Sequence, residues 1–349
     1  MPYLEGLPDK VPRIVITGLG IEVPGINDLA QLTDGSVPNL ADADFNPAEK
    51  LGRQGLRYKD RATKLALCSA QSALQDASLP ISAGEQFSSE TFGVVVSSNL
   101  GNLDTVCKVV DVVHNEGADN TSPLDMPNLS SNVIASSLAI RFGCKAINLM
   151  VCNGETSGID ALYLAANAIR SQRATRILVV GVEPSNEVVK KIMKASASNW
   201  SSRGALLHIG DGSAAVVLED AESAAERGAF VYAEMASYSY RASNHLSQTI
   251  LGANGGSDGL PELWLTPSSP PGPSSEAVSE GLELWKDTPP TCLDLTGVLG
   301  ETYGALGVFQ CVGACLWLRR HANAKAIATS GACWGEGTAS IIIRGIDHS

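Results

Sequence analysis

The stretch IGDGSAAVVLEDAESAAERGA, residues 209–229, decides the fold. Its glycines allow a tight turn and a close approach of the backbone before an apolar run. That run, SAAVVLED (213–220), predicts a buried strand, and Glu219 and Asp220 mark the exit of the strand. A helical segment follows at once, so this stretch has the strand-then-helix order of an α/β protein.

The same alternation of strand-like and helix-like segments continues outward in both directions. It predicts a sheet with parallel strands that is covered by helices on both faces. Because the pattern occurs twice, we predict two similar α/β halves, 11–227 and 228–349, integrated into one domain. The predicted strands are RIVITGLG (13–20), FGVVVSSN (92–99), INLMVC (147–152), RILVVGVE (176–183), FVYAEMASYSY (230–240), TCLDLTG (291–297), AIATSGACWG (326–335) and ASIIIRG (339–345), with helices at 63–77, 157–171, 275–285 and 307–320.

One segment breaks the alternation. Residues 243–277 are rich in Gly, Pro and Ser. These residues favour turns and irregular backbone, so we predict a surface loop here.

Composition narrows the classes of function. A net charge of −12 gives no excess of positive charge that would attract nucleic acid or anionic lipid. The apolar runs are far shorter than the roughly 20 residues of a membrane span, and the N-terminus shows no apolar targeting segment, so we expect a cytoplasmic location. The eight cysteines form no CxxC pair, and most have apolar neighbours. We therefore expect free thiols, no metal and no cofactor.

Four segments, in order along the chain, together resemble the β-ketoacyl synthase family. They are RIVITGLGIEVPG (13–25), MPNLSSNVIASSLAIRFGCKAINLMV (126–151), IGDGSAAVVLEDAESAAERGA (209–229) and GETYGALGVFQ (300–310). The resemblance implies a thiolase-like fold, a duplicated αβαβα arrangement of five layers. It also implies a site at the elbow between the strand 147–152 and the helix that begins near Ser157, where the helix N-terminus favours negative charge.

The resemblance further implies which residues should perform the chemistry. The family uses a cysteine at the elbow, two histidines, a lysine and an acidic residue. In this chain the cysteine position is Glu155, the second histidine is Glu301, the lysine is Thr296 and the acid is Gln310. The segment for the first histidine, 262–276, contains no histidine. We therefore expect these positions to be degenerate and the chain to lack catalytic residues.

Other chemistry stays open at this point. Glu155 and Glu301 could form an acid/base pair for hydrolysis or decarboxylation, because two close carboxylates repel and one would hold a proton. Cys152 or Cys333 could instead act as a displaced nucleophile, although we expect Cys152 to be a buried strand residue. A homodimeric acyl-binding scaffold is a third possibility.

A ketosynthase-like chain without its nucleophile resembles the chain-length factor of a type II polyketide synthase. That resemblance implies a heterodimer with an active ketosynthase, which would bring acyl carrier protein to the complex, in aromatic or polyene biosynthesis. The stripe Leu103, Val106, Val110 and Val113 has helical spacing and would line the acyl tunnel. Trp334 and Gly335 stand where the family has its gating loop.

Overall fold

The chain folds around one large mixed sheet. A computed structural model describes residues 11–34, 44–80, 90–198, 209–243, 245–255, 259–268, 273–286, 288–331 and 337–347. The strands are β1 (Ile14–Glu22), β2 (Phe92–Ser97), β3 (Asn148–Val151), β4 (Arg176–Glu183), β5 (Gly212–Asp220), β6 (Ala233–Arg241), β7 (Leu263–Leu265), β8 (Thr291–Leu293), β9 (Lys325–Gly331) and β10 (Thr338–Gly345).

Helices connect and cover these strands. They are α1 (Pro47–Leu51), α2 (Arg61–Asp76), α3 (Leu103–Glu116), α4 (Val133–Phe142), α5 (Ser157–Arg170), α6 (Glu187–Ser198), α7 (Ala221–Glu226), α8 (Leu246–Asn254), α9 (Pro273–Leu282), α10 (Thr296–Leu299) and α11 (Leu306–Leu318). No described helix combines the length and the apolar character that a bilayer crossing requires.

The strand order repeats. Across the sheet the order is β3-β2-β4-β5-β1-β6-β10-β9-β7-β8. Within each set of five strands the order is third, second, fourth, fifth, first, and the two sets meet at their first strands. The junction of β1 with β6 is antiparallel and pairs only Ile14–Ile16 with Met235–Ala233. This repeat is the duplication of the thiolase-like fold, and we propose that the halves divide between residues 227 and 228, in the interval from α7 to β6.

Five layers follow from the packing of the helices. Helices α5 and α11 lie between the two halves of the sheet and share one large core with both. Helices α2 and α4 cover the outer face of the first half, and α8 and α9 cover that of the second. Helix α11 is buried through most of its length, as expected for a helix that is apolar on all sides.

The prediction of a surface loop over 243–277 was wrong. This segment contains α8 and the fully buried strand β7, which pairs with β8 and β9. Leu246, Ile250 and Ala253 have helical spacing and pack in one cluster with Trp264. The Gly and Pro residues flank these short elements, and a three-residue strand is too short to show an alternating pattern.

Candidate functional site

The predicted elbow is present. Strand β3 ends at Val151, Gly154 adopts a left-handed φ of 65°, and Glu155 lies in the 3-10 turn Gly154–Thr156 just before α5. The Glu155 side chain is only 3% exposed. The elbow therefore presents a buried carboxyl group where the resemblance implies a thiol.

Hydrogen bonds fix this elbow from three sides. The Asn99 side chain accepts from the Gly154 N–H and donates to the Gly154 carbonyl, both at 3.0 Å. The Ser157 hydroxyl accepts from the Asn153 N–H at 2.6 Å. In the first turn of α5, the buried Asp160 carboxylate accepts from Asn153 Nδ2 at 2.7 Å. These bonds hold the turn in one conformation, so Glu155 has a defined position.

Glu301 provides a second buried carboxyl group, from the other half of the chain. It follows α10 and is also 3% exposed. Its side chain accepts hydrogen bonds from the Ser268 hydroxyl and from the Tyr303 N–H, the latter at 2.7 Å. Burial raises the pKa of Glu301, and these two bonds oppose that effect. Its backbone carbonyl accepts from Gly210 N at 2.8 Å, which attaches the site to the glycine turn before β5.

The packing of α5 against α11 brings the two carboxyl groups to the same region. The 3-10 turn that contains Glu155 packs against the 3-10 turn Tyr303–Ala305. Just beyond, Gly158 and Gly307 touch: a Cβ atom on Gly307 would lie 2.4 Å from Ile159 N. The turn that contains Glu155 and the turn that follows Glu301 therefore lie against each other in the interior, and we treat the two carboxyl groups as one candidate site.

Ser268 is a site residue that the sequence reasoning missed. It is buried, lies just after β7 and donates to Glu301. It thus occupies the segment 262–276, in which the resemblance calls for the first histidine. The available signal was the apolar triplet LWL before it, which marks a strand whose end would carry a site residue. The repeated pentapeptides GETSG (154–158) and GETYG (300–304) were a further sign that the two turns are related.

Thr296 and Gln310 have different hydrogen-bond partners. The Gln310 amide is buried, and its Nε2 donates to the carbonyls of Thr266 and Thr329, both at 2.8 Å. Thr296 begins α10, and its backbone N–H and hydroxyl both donate to Asp294. Gln310 therefore joins the ends of β7 and β9, whereas Thr296 is half-buried in a separate turn.

The apolar stripe of α3 that was predicted to line the acyl tunnel lies at the surface of this chain. Val110 is 58% exposed and Val113 is 45% exposed, while Leu103 and Val106 are half-buried. The buried residue of α3 is Val109. The predicted gating residues Trp334 and Gly335 lie outside the described residues, as does Cys333.

Cys152 was wrongly predicted to be buried. It follows the edge strand β3, is exposed, and donates through its thiol to the Ser98 carbonyl at 3.1 Å. Its partial burial and the neighbouring Glu183 raise the pKa of this thiol. A raised pKa reduces the thiolate fraction, so Cys152 is a poor nucleophile. In the described part of the chain, no group of three or more His, Cys, Asp or Glu residues is arranged to hold a metal ion.

The duplicated strand order, the five layers and the site built from both halves define the thiolase-type class of α/β proteins. The family model for the Beta-ketoacyl synthase, N-terminal domain, matches residues 36–224, more than half of the chain. The chain therefore belongs to the β-ketoacyl synthase family.

Individual relatives agree with this assignment. The chain is 26% identical over 260 residues to 3-oxoacyl-[acyl-carrier-protein] synthase 2 of Synechocystis sp., an alignment that covers 65% of this chain and 62% of that protein. The solved structure of the ishigamide ketosynthase/chain length factor has a TM-score of 0.83 at 16% identity and covers 97% of this chain and 100% of its own. AntDE:AntF, a type II PKS acyl-carrier protein in complex with its ketosynthase, has a TM-score of 0.77 at 18% identity, with 97% and 100% covered. At these identities the two structures establish the fold alone.

Proposed function

We propose that this chain is a non-catalytic ketosynthase-like subunit, a chain-length factor, that pairs with an active ketosynthase and shapes the tunnel for the growing acyl or polyketide chain. The observation that carries the proposal is the content of the buried site. Glu155 stands at the elbow and Glu301 is hydrogen-bonded by Ser268. The resemblance assigns Glu301 to the second histidine, and Ser268 lies in the segment in which it calls for the first.

These side chains are better suited to a structural role than to catalysis of a condensation. Acyl transfer to the elbow needs a thiolate, and a carboxylate is a far weaker nucleophile toward a thioester. The oxyanion of the thioester needs hydrogen-bond donors, yet the Ser268 hydroxyl is already donated to Glu301. A negative charge at Glu155 would also repel the carboxylate of a malonyl extender.

The surface around β3 supports a partner subunit. Strand β3 is an edge of the sheet, and Asn148 on it is exposed. Helix α4, which packs against β3, exposes Ile140 to 79%. Val110 and Val113 on α3 are exposed as well. Soluble proteins rarely leave an open strand edge and large apolar side chains exposed unless something binds them.

The solved structures provide a precedent for such a subunit in this fold. One is described as a ketosynthase/chain length factor and another as a ketosynthase in complex with an acyl-carrier protein. We infer the same kind of assembly here, with acyl carrier protein reaching the complex through the active subunit.

The test combines assembly with acyl loading. We expect the chain expressed alone to aggregate, and expect a stable heterodimer by light scattering when it is co-expressed with its ketosynthase partner, sought first among the neighbouring genes. Intact mass spectrometry after incubation with an acyl carrier protein thioester should show an adduct on the ketosynthase and none on this chain.

Two outcomes would contradict the proposal. A well-behaved monomer or homodimer that ignores the ketosynthase would indicate a scaffold, and acylation of this chain would indicate an enzyme. The variant Glu155→Cys separates these cases further. It should remain unable to condense when purified free of any partner, because the segment 262–276 contains no histidine, Glu301 stands for the second one, and such groups act as a unit.

A further inference from the structure

A single buried carboxyl group holds the turn that leads into α3. Glu183, the last residue of β4, is 2% exposed. It accepts hydrogen bonds from the Asn99 N–H at 2.7 Å, the Leu100 N–H at 3.0 Å and the Ser98 hydroxyl at 3.1 Å. Three consecutive residues between β2 and α3 therefore depend on one side chain. Most buried backbone N–H groups find a partner within helices or strands, so this dependence is unusual.

The same turn also contacts the elbow. Asn99 bonds both backbone polar groups of Gly154, and its Nδ2 lies 3.4 Å from Glu183 Oε1. Space there is tight: a Cβ atom on Gly304 would lie 2.1 Å from Asn99 Nδ2 and 2.9 Å from Glu183 Oε1. A change at Glu183 must therefore affect the start of α3 and the elbow together.

The charge of Glu183 is poorly compensated. Among the described residues, no lysine or arginine forms an ion pair with it. Of the titratable groups nearby, the Cys152 thiol at the elbow interacts electrostatically with Glu183. Asp211 accepts from the Ser185 N–H just beyond β4, and its charge is paired with Arg61. Burial raises the pKa of Glu183 to about 7, although the hydrogen bonds from Asn99, Leu100 and Ser98 oppose this rise.

We propose that Glu183 is a pH-responsive latch, which holds the Ser98–Leu100 turn when its carboxyl group is charged and loosens the turn when it takes up a proton. The charged form is an acceptor only, and its two oxygens can receive all four of the observed bonds. The protonated form carries an O–H donor, which faces the N–H and O–H donors of the turn. The turn then loses an acceptor, and the hydrogen bonds that hold the chain just before α3 are weakened.

Hydrogen–deuterium exchange tests the latch, and it is read from peptides of this chain in whichever assembly, alone or with a partner, keeps the chain in solution. Peptides that cover residues 97–116 are followed at about pH 6 and about pH 8, with correction for intrinsic exchange, because these values bracket a carboxyl group that titrates near neutrality. We expect the amides of Asn99 and Leu100 to be protected roughly tenfold better at the higher pH. At the lower pH they lose a hydrogen bond to a charged group, and a loss of protection of this size is expected from that.

The matched variants are Glu183→Gln and Glu116→Gln. Glu183→Gln should lower the protection at both pH values and abolish the difference between them. Glu116→Gln changes an exposed glutamate at the end of the same helix and should behave as the wild type does. Equal protection of the wild-type turn at both pH values would overturn the proposal, and this result does not require the Glu183 variant to fold. A pH difference that persists in folded Glu183→Gln would also overturn it. Because exchange is read from this chain's own peptides and not from condensation or acyl loading, the outcome is independent of the proposed function.

Discussion

The surroundings of Gln310 disfavour a carboxyl group at this position, where the resemblance implies an acidic residue in the family. Gln310 Nε2 faces the carbonyl oxygens of Thr266 and Thr329. A carboxylate there would place a buried negative charge against two acceptors, with no donor in return. We expect Gln310→Glu to lower the free energy of unfolding by about 2 kcal/mol or more, measured by urea denaturation.

The exposed substitution Gln54→Glu is the control, and it should change the free energy of unfolding by about 0.5 kcal/mol or less. Similar effects of the two substitutions would show that the Gln310 amide is not needed as a donor.

Glu301 should make stability depend on pH. Its pKa is raised in the folded chain, so the folded state holds this proton more tightly than the unfolded state does. Stability therefore falls as the pH rises from the unfolded pKa, about 4.3, toward the folded pKa. Glu301→Gln keeps an acceptor for the Tyr303 N–H but removes the ionisation. Thermal unfolding at several pH values should show the variant gaining on the wild type as pH increases, and a constant difference would argue against this account.

Residue-level predictions were possible where a motif fixed the register. Glu155 and Glu301 could be placed because each lies in a glycine-flanked turn before a long apolar helix, and both are indeed buried. Ser268 could not, because its position depends on a three-residue strand held by neighbours far away in the sequence. The partner of Thr296 was equally hard to predict, since it is set by local hydrogen bonds to Asp294.

Helices α5 and α11 approach each other closely through two glycines. A Cβ atom on Gly158 would lie 2.8 Å from Gly307 N and 2.9 Å from Gly307 Cα. Both are backbone atoms, so the helices would have to separate. Gly158→Ala should destabilise the fold by about 1–3 kcal/mol, as overpacked cores do, although alanine favours helices.

Gly297→Ala is the matched control for chemical unfolding, because Gly297 also lies in a helix but has open space around its Cα. It should be neutral or slightly stabilising. Equal effects of the two substitutions would mean that the α5–α11 contact can relax without cost.

Elements with a clear local pattern were predictable, including the short strands β3 and β8, whereas α8 and β7 were not. The strands that became β1, β4, β5 and β10 and the helices α2, α5 and α11 carry long apolar or periodic runs, which local pattern reveals. The elements α8 and β7 were missed because Gly, Pro and Ser surround them. Their structure comes from packing against β6, β9 and β10, which is a tertiary effect.

At the scale of the assembly, Val110 tests whether α3 sets product length. It is exposed in this chain, so a larger side chain should leave the fold of the isolated subunit unchanged. If Val110 lines a tunnel shared with the ketosynthase, Val110→Phe should shift products toward shorter chains while the first condensation keeps its rate.

Val110→Ala should allow equal or longer chains. Mass analysis of the products of the reconstituted heterodimer provides the measurement. An unchanged length distribution for both variants, with the heterodimer intact, would mean that α3 serves only in packing.

The repeated strand order gives the sheet two ends, β3 and β8, which occupy equivalent places in the two halves. If both edge strands paired equally well with another chain, copies could add one after another and form a filament. Strand β8 is a weak template for such growth, because it has only three residues and leads directly to Asp294 and α10. A pair joined through β3 would therefore be closed, and the assembly would stop at two chains.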